Sequence, residues 1–141
     1  MLVDKEMINV HKLKQQIESI EIVSPEEVRV IDGDTIVINE NISNNVNVKK
    51  ERIRLACLNC PERLSQSGIE STKRTQDFID SSVMIFIIRY KKKDLYGRTI
   101  ATVLGVNNND KISDLNALLL SYGAAEYKSY NRSYCKIYKS Q

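Results

Sequence analysis

The sequence predicts a mainly β domain with helices, of the α+β class, and three observations carry that reading. Short runs rich in β-branched residues at 27–32, 35–39, 48–58 and 99–106 are set off by turn signals such as Asp32-Gly33-Asp34 and Asn107-Asn108-Asn109-Asp110. The run 83–89 is almost continuously apolar and short, the pattern of a central buried strand. Away from the N-terminus, only 67–82 and 113–122 join helix starters to apolar residues at helical spacing.

Each element follows from local chemistry. Met7, Val10, Leu13, Ile17 and Ile20 recur at three and four residues, so residues 1–20 are expected to form a helical appendage ending near Ile20. Residues 27–32 and 35–39 flank the Asp-Gly-Asp turn as a hairpin, with Gly33 expected to permit the tight backbone. A polar loop is expected at 41–47. The strand 48–58 puts Ile53, Leu55 and Cys57 on one face and Arg52, Arg54 and Ala56 on the other, and Pro61 ends its pairing. The helix over 67–82 carries Ile69, Phe78 and Ile79 as its apolar residues, residues 91–97 form a charged turn, and 99–106 is the fifth strand. Ser113 is expected to cap a helix whose Leu115, Leu118, Leu119 and Tyr122 make one stripe, and Gly123 stands where a C-terminal cap belongs. Five strands with a helix after the third and another after the fifth are most economically closed as a Greek-key barrel of the OB-fold kind. At 141 residues the chain can bury one core and not two, so 21–125 is assigned to the barrel and 126–141 to a basic, tyrosine-rich tail.

Composition removes several function classes. With 42% hydrophobic and 28% charged residues, five Gly and two Pro, the chain is neither collagen-like nor low-complexity nor wholly disordered. Its longest apolar runs, 83–88 and 117–120, fall far short of the roughly 18 residues of a spanning helix. Acidic residues at the very start, with no apolar stretch before Lys12, do not read as a signal peptide, and a cytoplasmic, intracellular location is expected. His11 is the only histidine, which leaves a Ser-His-Asp or Cys-His nucleophile without a partner motif. Three cysteines make no disulfide framework, and zinc would need Cys57, Cys60, Cys135 and His11 together. Cys57 reads as a small interior hydrophobe and Cys60 as a turn residue. Phosphate-loop and Gly-x-Gly-x-x-Gly signatures are absent. Charge is uneven: residues 1–87 carry 11 basic and 14 acidic side chains, whereas 88–141 carry 10 and 4, so the C-terminal third can face an anion.

Polar clusters at strand ends and turns are chemically complementary. Asp32-Gly33-Asp34-Thr35 presents two carboxylates at a hairpin tip, a motif that alone is an ordinary turn. Arg54 lies on the pleat face opposite the inward Leu55, a costly position unless it meets an anion. Asn59-Cys60-Pro61-Glu62 and Asp94-Leu95-Tyr96-Gly97-Arg98 add an amide, a carboxylate and a second arginine. Water attacking a phosphodiester builds negative charge on the phosphoryl oxygens, and two arginine forks with a hard cation suit that charge. A glutamate can take the proton of the attacking water, help worth typically about 10²- to 10⁴-fold. Lys91, Lys92 and Lys93 would draw a polyanion toward such a cleft.

Val-Ile-Asp-Gly-Asp-Thr at 30–35, Arg-Leu-Ala-Cys-Leu-Asn-Cys-Pro-Glu at 54–62, Tyr-Gly-Arg at 96–98 and Leu-Asn-Ala-Leu-Leu-Leu-Ser-Tyr-Gly at 115–123 together resemble the staphylococcal nuclease (thermonuclease-like) family in order and approximate spacing, over residues 26–125. The resemblance implies a barrel-plus-helix endonuclease that cuts DNA and RNA phosphodiesters with Ca²⁺ and leaves 3′-phosphate ends. It implies Asp34 as a direct calcium ligand, Asp32 as an outer carboxylate, Asn59 as the second ligand and Cys60 as a backbone-carbonyl ligand. It likewise implies Glu62 as general base, Arg54 and Arg98 as the phosphate-binding arginines, and Tyr96 in the nucleotide pocket. An oxygen-only ligand set favours calcium over zinc.

Two departures stand out. Asn59 occupies a place where the family usually has aspartate, which removes one charge and predicts weaker calcium binding. Leu95 stands where lysine is typical. In the tail, Tyr127 or Tyr130 could stack on a base, worth roughly 1–3 kcal/mol, or could simply pack against the barrel. Two functions follow: a metal-dependent nuclease, or an OB-fold module that binds nucleic acid with a degenerate metal site. Single-stranded DNA or RNA is the expected partner of a monomeric protein.

Overall fold

The computed structural model describes residues 10–39, 50–130 and 132–139. Met7, the expected loop at 41–47 and the first residues of the strand expected from 48 lie outside them. Helix α1 (Val10–Gln16) leads into strand β1 (Ile17–Val23). A single 3₁₀ turn, Pro25–Glu27, separates β1 from the hairpin β2 (Val28–Asp32) and β3 (Thr35–Asn39). Then come β4 (Lys50–Leu55), the two-residue β5 (Leu58–Asn59), α2 (Gln66–Asp80), β6 (Met84–Tyr90) and β7 (Thr99–Val106). The last elements are β8 (Ile112–Asp114), α3 (Leu115–Ser121), β9 (Glu126–Tyr127) and a 3₁₀ segment, Ser133–Tyr138.

The α+β class stands, but the count and closure differ from expectation. The main sheet runs β1-β6-β7-β4-β3-β2, with β8 on β7, and β5 and β9 form a separate two-stranded sheet. The strands β1 and β2, consecutive in sequence, sit at opposite ends of that order. Among the described residues no pairing joins them, so the sheet is not closed into a barrel. The N-terminal helix stops at Gln16 rather than near Ile20, and Ile17 to Ile20 are strand. Ile17 and Ile20 stand at helical spacing, whereas Ile20 and Ile22 alternate as in a strand, and pairing of Ile20 and Ile22 with Ile88 and Phe86 of β6 selects the strand.

Alternation does what it should on the inner face. Ile36 and Ile38 of β3, Ile53 and Leu55 of β4, Ile85 and Ile87 of β6 and Val103 of β7 are all buried, with Leu115 and Leu119 of α3 and Ile79 of α2 packed among them. Helix α3 is capped by Asp114, whose carboxylate accepts from the Ala117 N–H at 3.0 Å, one residue beyond the expected Ser113. Gly123, at φ +70°, ends it as the sequence indicates. Gly33 does not take a left-handed φ, and its smallness has another cause. A Cβ there would lie 2.7 Å from Cys60 Sγ and 2.8 Å from the Ser71 Cβ, and the Thr75 hydroxyl of α2 donates to the Gly33 carbonyl at 2.7 Å. The hairpin tip is thus clamped between α2 and the loop after β5.

Two long-range joins position the candidate site. Strands β4 and β7 pair in parallel, with Ile53 opposite Thr99 and Arg54 opposite Ile100. Buried Asn116 bridges past their ends, donating to the Ala56 carbonyl at 2.9 Å and accepting from the Val103 N–H at 3.1 Å. Beyond them Cys57 turns the chain at φ +72°, and the C-terminal segment returns beside it. Leu58 and Asn59 pair with Tyr127 and Glu126, Lys128 N–H donates to the Cys57 carbonyl at 2.9 Å, and Cys57 and Cys135 form a disulfide spanning 78 residues. Three cysteines therefore do supply one bridge, and Cys57 is half of it rather than a plain interior residue. No described helix is long and apolar enough to cross a membrane.

Gly68, in the first turn of α2, fixes the loop that carries Glu62. Its N–H donates to the Ser65 hydroxyl at 3.0 Å, and that hydroxyl donates to the Glu62 carbonyl at 2.6 Å. A Cβ on residue 68 would stand 1.8 Å from the same carbonyl oxygen. Gly68→Ala is expected to displace the Glu62 loop and lower stability by about 1–3 kcal/mol, the usual penalty of overpacking, read by thermal denaturation.

Candidate functional site

Register brings the two carboxylates and the first arginine together. Arg54 on β4 lies opposite Thr35 on β3, immediately after the Asp-Gly-Asp tip. Its Nη1 is 2.9 Å from Asp34 Oδ2 and 3.4 Å from the Asp34 carbonyl oxygen. The same Oδ2 accepts from the Cys60 N–H at 2.8 Å, and Asp32 Oδ1 accepts from the Asp34 N–H at 3.1 Å. Burial, with the Asp32 carboxylate alongside, pushes the Asp34 carboxyl above its usual range, against the downward pull of Arg54 and the Cys60 amide. Arg54 Nη2 donates to Asn59 Oδ1, and Tyr130 donates to the same oxygen at 2.6 Å. Asp34 and Asn59 thus grip one guanidinium from two sides.

The second arginine is set by its own turn. Asp94 accepts from the N–H groups of Tyr96 and Arg98 at 2.9 and 2.8 Å and from Arg98 Nε at 2.6 Å. These bonds hold the Asp94 carboxyl below its usual range against partial burial. Arg98 lies 5.5 Å from the centre of the Tyr96 ring, which is 84% exposed. Arg54 and Arg98 both line one cleft of about 590 Å³, with Asn59, Lys92, Lys93 and Tyr96.

The other sequence-predicted residues fall differently. Glu62 is exposed outside the cleft wall, its carboxylate accepting from the Leu64 N–H at 3.0 Å. Lys91 is exposed beside the lining lysines, with its N–H bonded to the Gln16 carbonyl at 2.8 Å. Tyr127 donates to the Cys135 carbonyl at 3.3 Å and packs against the core, so the packing alternative applies to it. The tail's contribution to the cleft comes instead from Tyr130, Arg132 and Tyr134. Asp94, the anchor of Arg98, sits only two residues before the Tyr-Gly-Arg run, and the sequence alone assigns it no role. Cys60 presents its N–H to Asp34, and burial pushes its free thiol up to about 12, so the thiol stays protonated near neutrality. Among the described residues no group of three or more His, Cys, Asp or Glu side chains gathers as a metal site. The oxygen donors that do converge are Asp34 and Asn59, with Asp32 beside them.

A family model described as staphylococcal nuclease homologue matches residues 52–141, well over half of the sequence. The chain belongs to the staphylococcal nuclease homologue family. No curated protein matches it. The matched span holds Arg54, Asn59, Glu62 and Arg98, while the Asp-Gly-Asp tip precedes it and joins the site through the β3–β4 register. Family membership makes the domain a nuclease or a nucleic-acid-binding module, and its mixed sheet and helices suit the OB-fold of that family.

Proposed function

We propose that the protein is a metal-dependent nuclease that hydrolyses phosphodiesters of single-stranded DNA or RNA in the cleft between Arg54 and Arg98. The observation that carries this reading is that two arginines, Arg54 on β4 and Arg98 in the turn before β7, line one cavity, flanked by lysines and an exposed aromatic ring. Arg54 and Arg98 offer guanidinium forks to the scissile phosphate, and charge developing on its oxygens strengthens those contacts. Lys92 and Lys93 line the approach for the polyanion, Lys91 adds to the local charge, and Tyr96 offers a stacking face. Glu62, three residues beyond Asn59, takes the proton of the attacking water as general base.

Calcium suits the donors by chemistry: oxygens of Asp34 and Asn59 meet around the Arg54 guanidinium, with the Asp32 carboxylate beside Asp34. Asp34 and Asn59 would hold the ion directly, with Asp32 outside them and the Cys60 carbonyl as a further oxygen. Bound there, calcium would supply positive charge to the phosphoryl oxygens and acidify an adjacent water.

Cleavage of a labelled single-stranded oligonucleotide is expected in about 10 mM Ca²⁺, a level suited to a weak site. Asn59→Asp should lower the calcium concentration needed for half-maximal rate. An unchanged midpoint would remove Asn59 from the ligand set. A binding-only module is favoured by one observation, the position of Glu62 outside the cleft wall. That second reading takes over if Ca²⁺, Mg²⁺ and Mn²⁺ all fail to support cleavage while salt-sensitive binding persists.

A further inference from the structure

We infer that Tyr130 is a positioning residue whose phenol fixes the orientation of the Asn59 amide against Arg54; the inference rests on the nuclease reading above. A guanidinium has donors and no acceptor. Arg54 Nη2 is directed at both Asn59 Oδ1 and the Tyr130 hydroxyl oxygen, the latter at 3.5 Å. With a lone pair turned to Arg54, the hydroxyl keeps its single proton for Asn59 Oδ1, 2.6 Å away. The three groups therefore close a ring in which every donor meets an acceptor.

The ring matters because residue 59 is an amide. Both oxygens of a carboxylate accept, so an aspartate there would suit Arg54 either way round. Asparagine has one accepting atom and one donating atom. Turned over, its Nδ2 would face the guanidinium N–H groups, donor against donor, and its oxygen would point away from Arg54 and Tyr130. Two donors converging on Oδ1 select the productive orientation, and Tyr130 supplies one of them.

The backbone holds Tyr130 for this task. Its φ of +47° is left-handed, unusual for a residue with a side chain, and such conformations persist where the surroundings over-determine them. On one side Glu126 and Tyr127 pair with Asn59 and Leu58, so the tyrosine follows β9, the strand paired with the one that carries Asn59. On the other side Cys135 is bonded to Cys57, two residues before Asn59. Tyr130 is 49% exposed as a residue, so losing the hydroxyl removes hydrogen bonds and little packing.

The test is a double-mutant cycle of Tyr130→Phe and Asn59→Asp in the full chain. The readouts are kcat and KM on a single-stranded oligothymidylate in Ca²⁺, and the affinity for the same oligonucleotide in EDTA. With Asn59 in place, Tyr130→Phe is expected to lower kcat about tenfold and to weaken metal-free affinity about threefold, as befits a lost hydrogen bond in a charged network. In the Asn59→Asp background both effects should shrink to less than about twofold. Equal losses in the two backgrounds, or no loss in either, would overturn the assignment. If the unsubstituted chain cuts nothing, the nuclease reading fails separately, and the metal-free affinities alone still decide for or against Tyr130.

Discussion

Glu62→Gln is expected to slow phosphodiester hydrolysis by about 100- to 10,000-fold, the range over which general-base help acts. The substitution is nearly isosteric and leaves an amide oxygen to accept from the Leu64 N–H, the contact the carboxylate now makes at 3.0 Å. The backbone around it is held independently, since the Glu62 carbonyl accepts from both the Ser65 N–H and the Ser65 hydroxyl. Melting temperature and oligonucleotide affinity should therefore stay close to those of the unsubstituted protein while the single-turnover rate collapses. A rate reduced by less than about threefold would take the general-base role away from Glu62 and leave the arginines as the main source of catalysis.

The second large effect concerns the bridge between Cys57 and Cys135. Replacing both cysteines by alanine is expected to lower stability by roughly 2–5 kcal/mol, because the link closes a loop of 78 residues and its loss frees the unfolded chain. For a chain of this length that corresponds to a fall in Tm on the order of 10 °C, measurable by calorimetry. Affinity for oligonucleotide should weaken as well, since Tyr130, Arg132 and Tyr134 line the cleft from the segment this bridge ties down. Both sulfurs belong to buried residues, 1% and 0% exposed, so dithiothreitol should reduce the native bond slowly and speed up as denaturant opens the structure. An unchanged Tm on removing both cysteines would show that the pairing of β5 with β9 suffices to hold the tail.

What the sequence made legible was local. Strand alternation read off the faces of β4 correctly, so Arg54 could be set against an anion and Leu55 in the core. Helix α3 lay in a clear apolar stripe ended by glycine, and the hairpin tip carried its own turn signal. What stayed hidden depends on contacts between distant residues. The strand β1 reads equally well at helical spacing, and only β6 decides between the two. An open sheet and a closed barrel share the same local patterns and differ in which edges meet. Three cysteines at 57, 60 and 135 permit three pairings, and the return of the tail to β5 selects one. The same return turns Tyr127 toward the Cys135 carbonyl and Tyr130 toward Arg54, a distinction that tyrosine content alone cannot make.

Synthesis from the N-terminus gives this arrangement a temporal side. The main sheet can assemble once β8 has left the ribosome, but the cleft lacks a wall until residues 130–135 emerge and reach back to Cys57. A chain ending before residue 130 would carry the main sheet, Arg54, Arg98 and the cleft lysines, but it would lack the wall that Tyr130, Arg132 and Tyr134 supply.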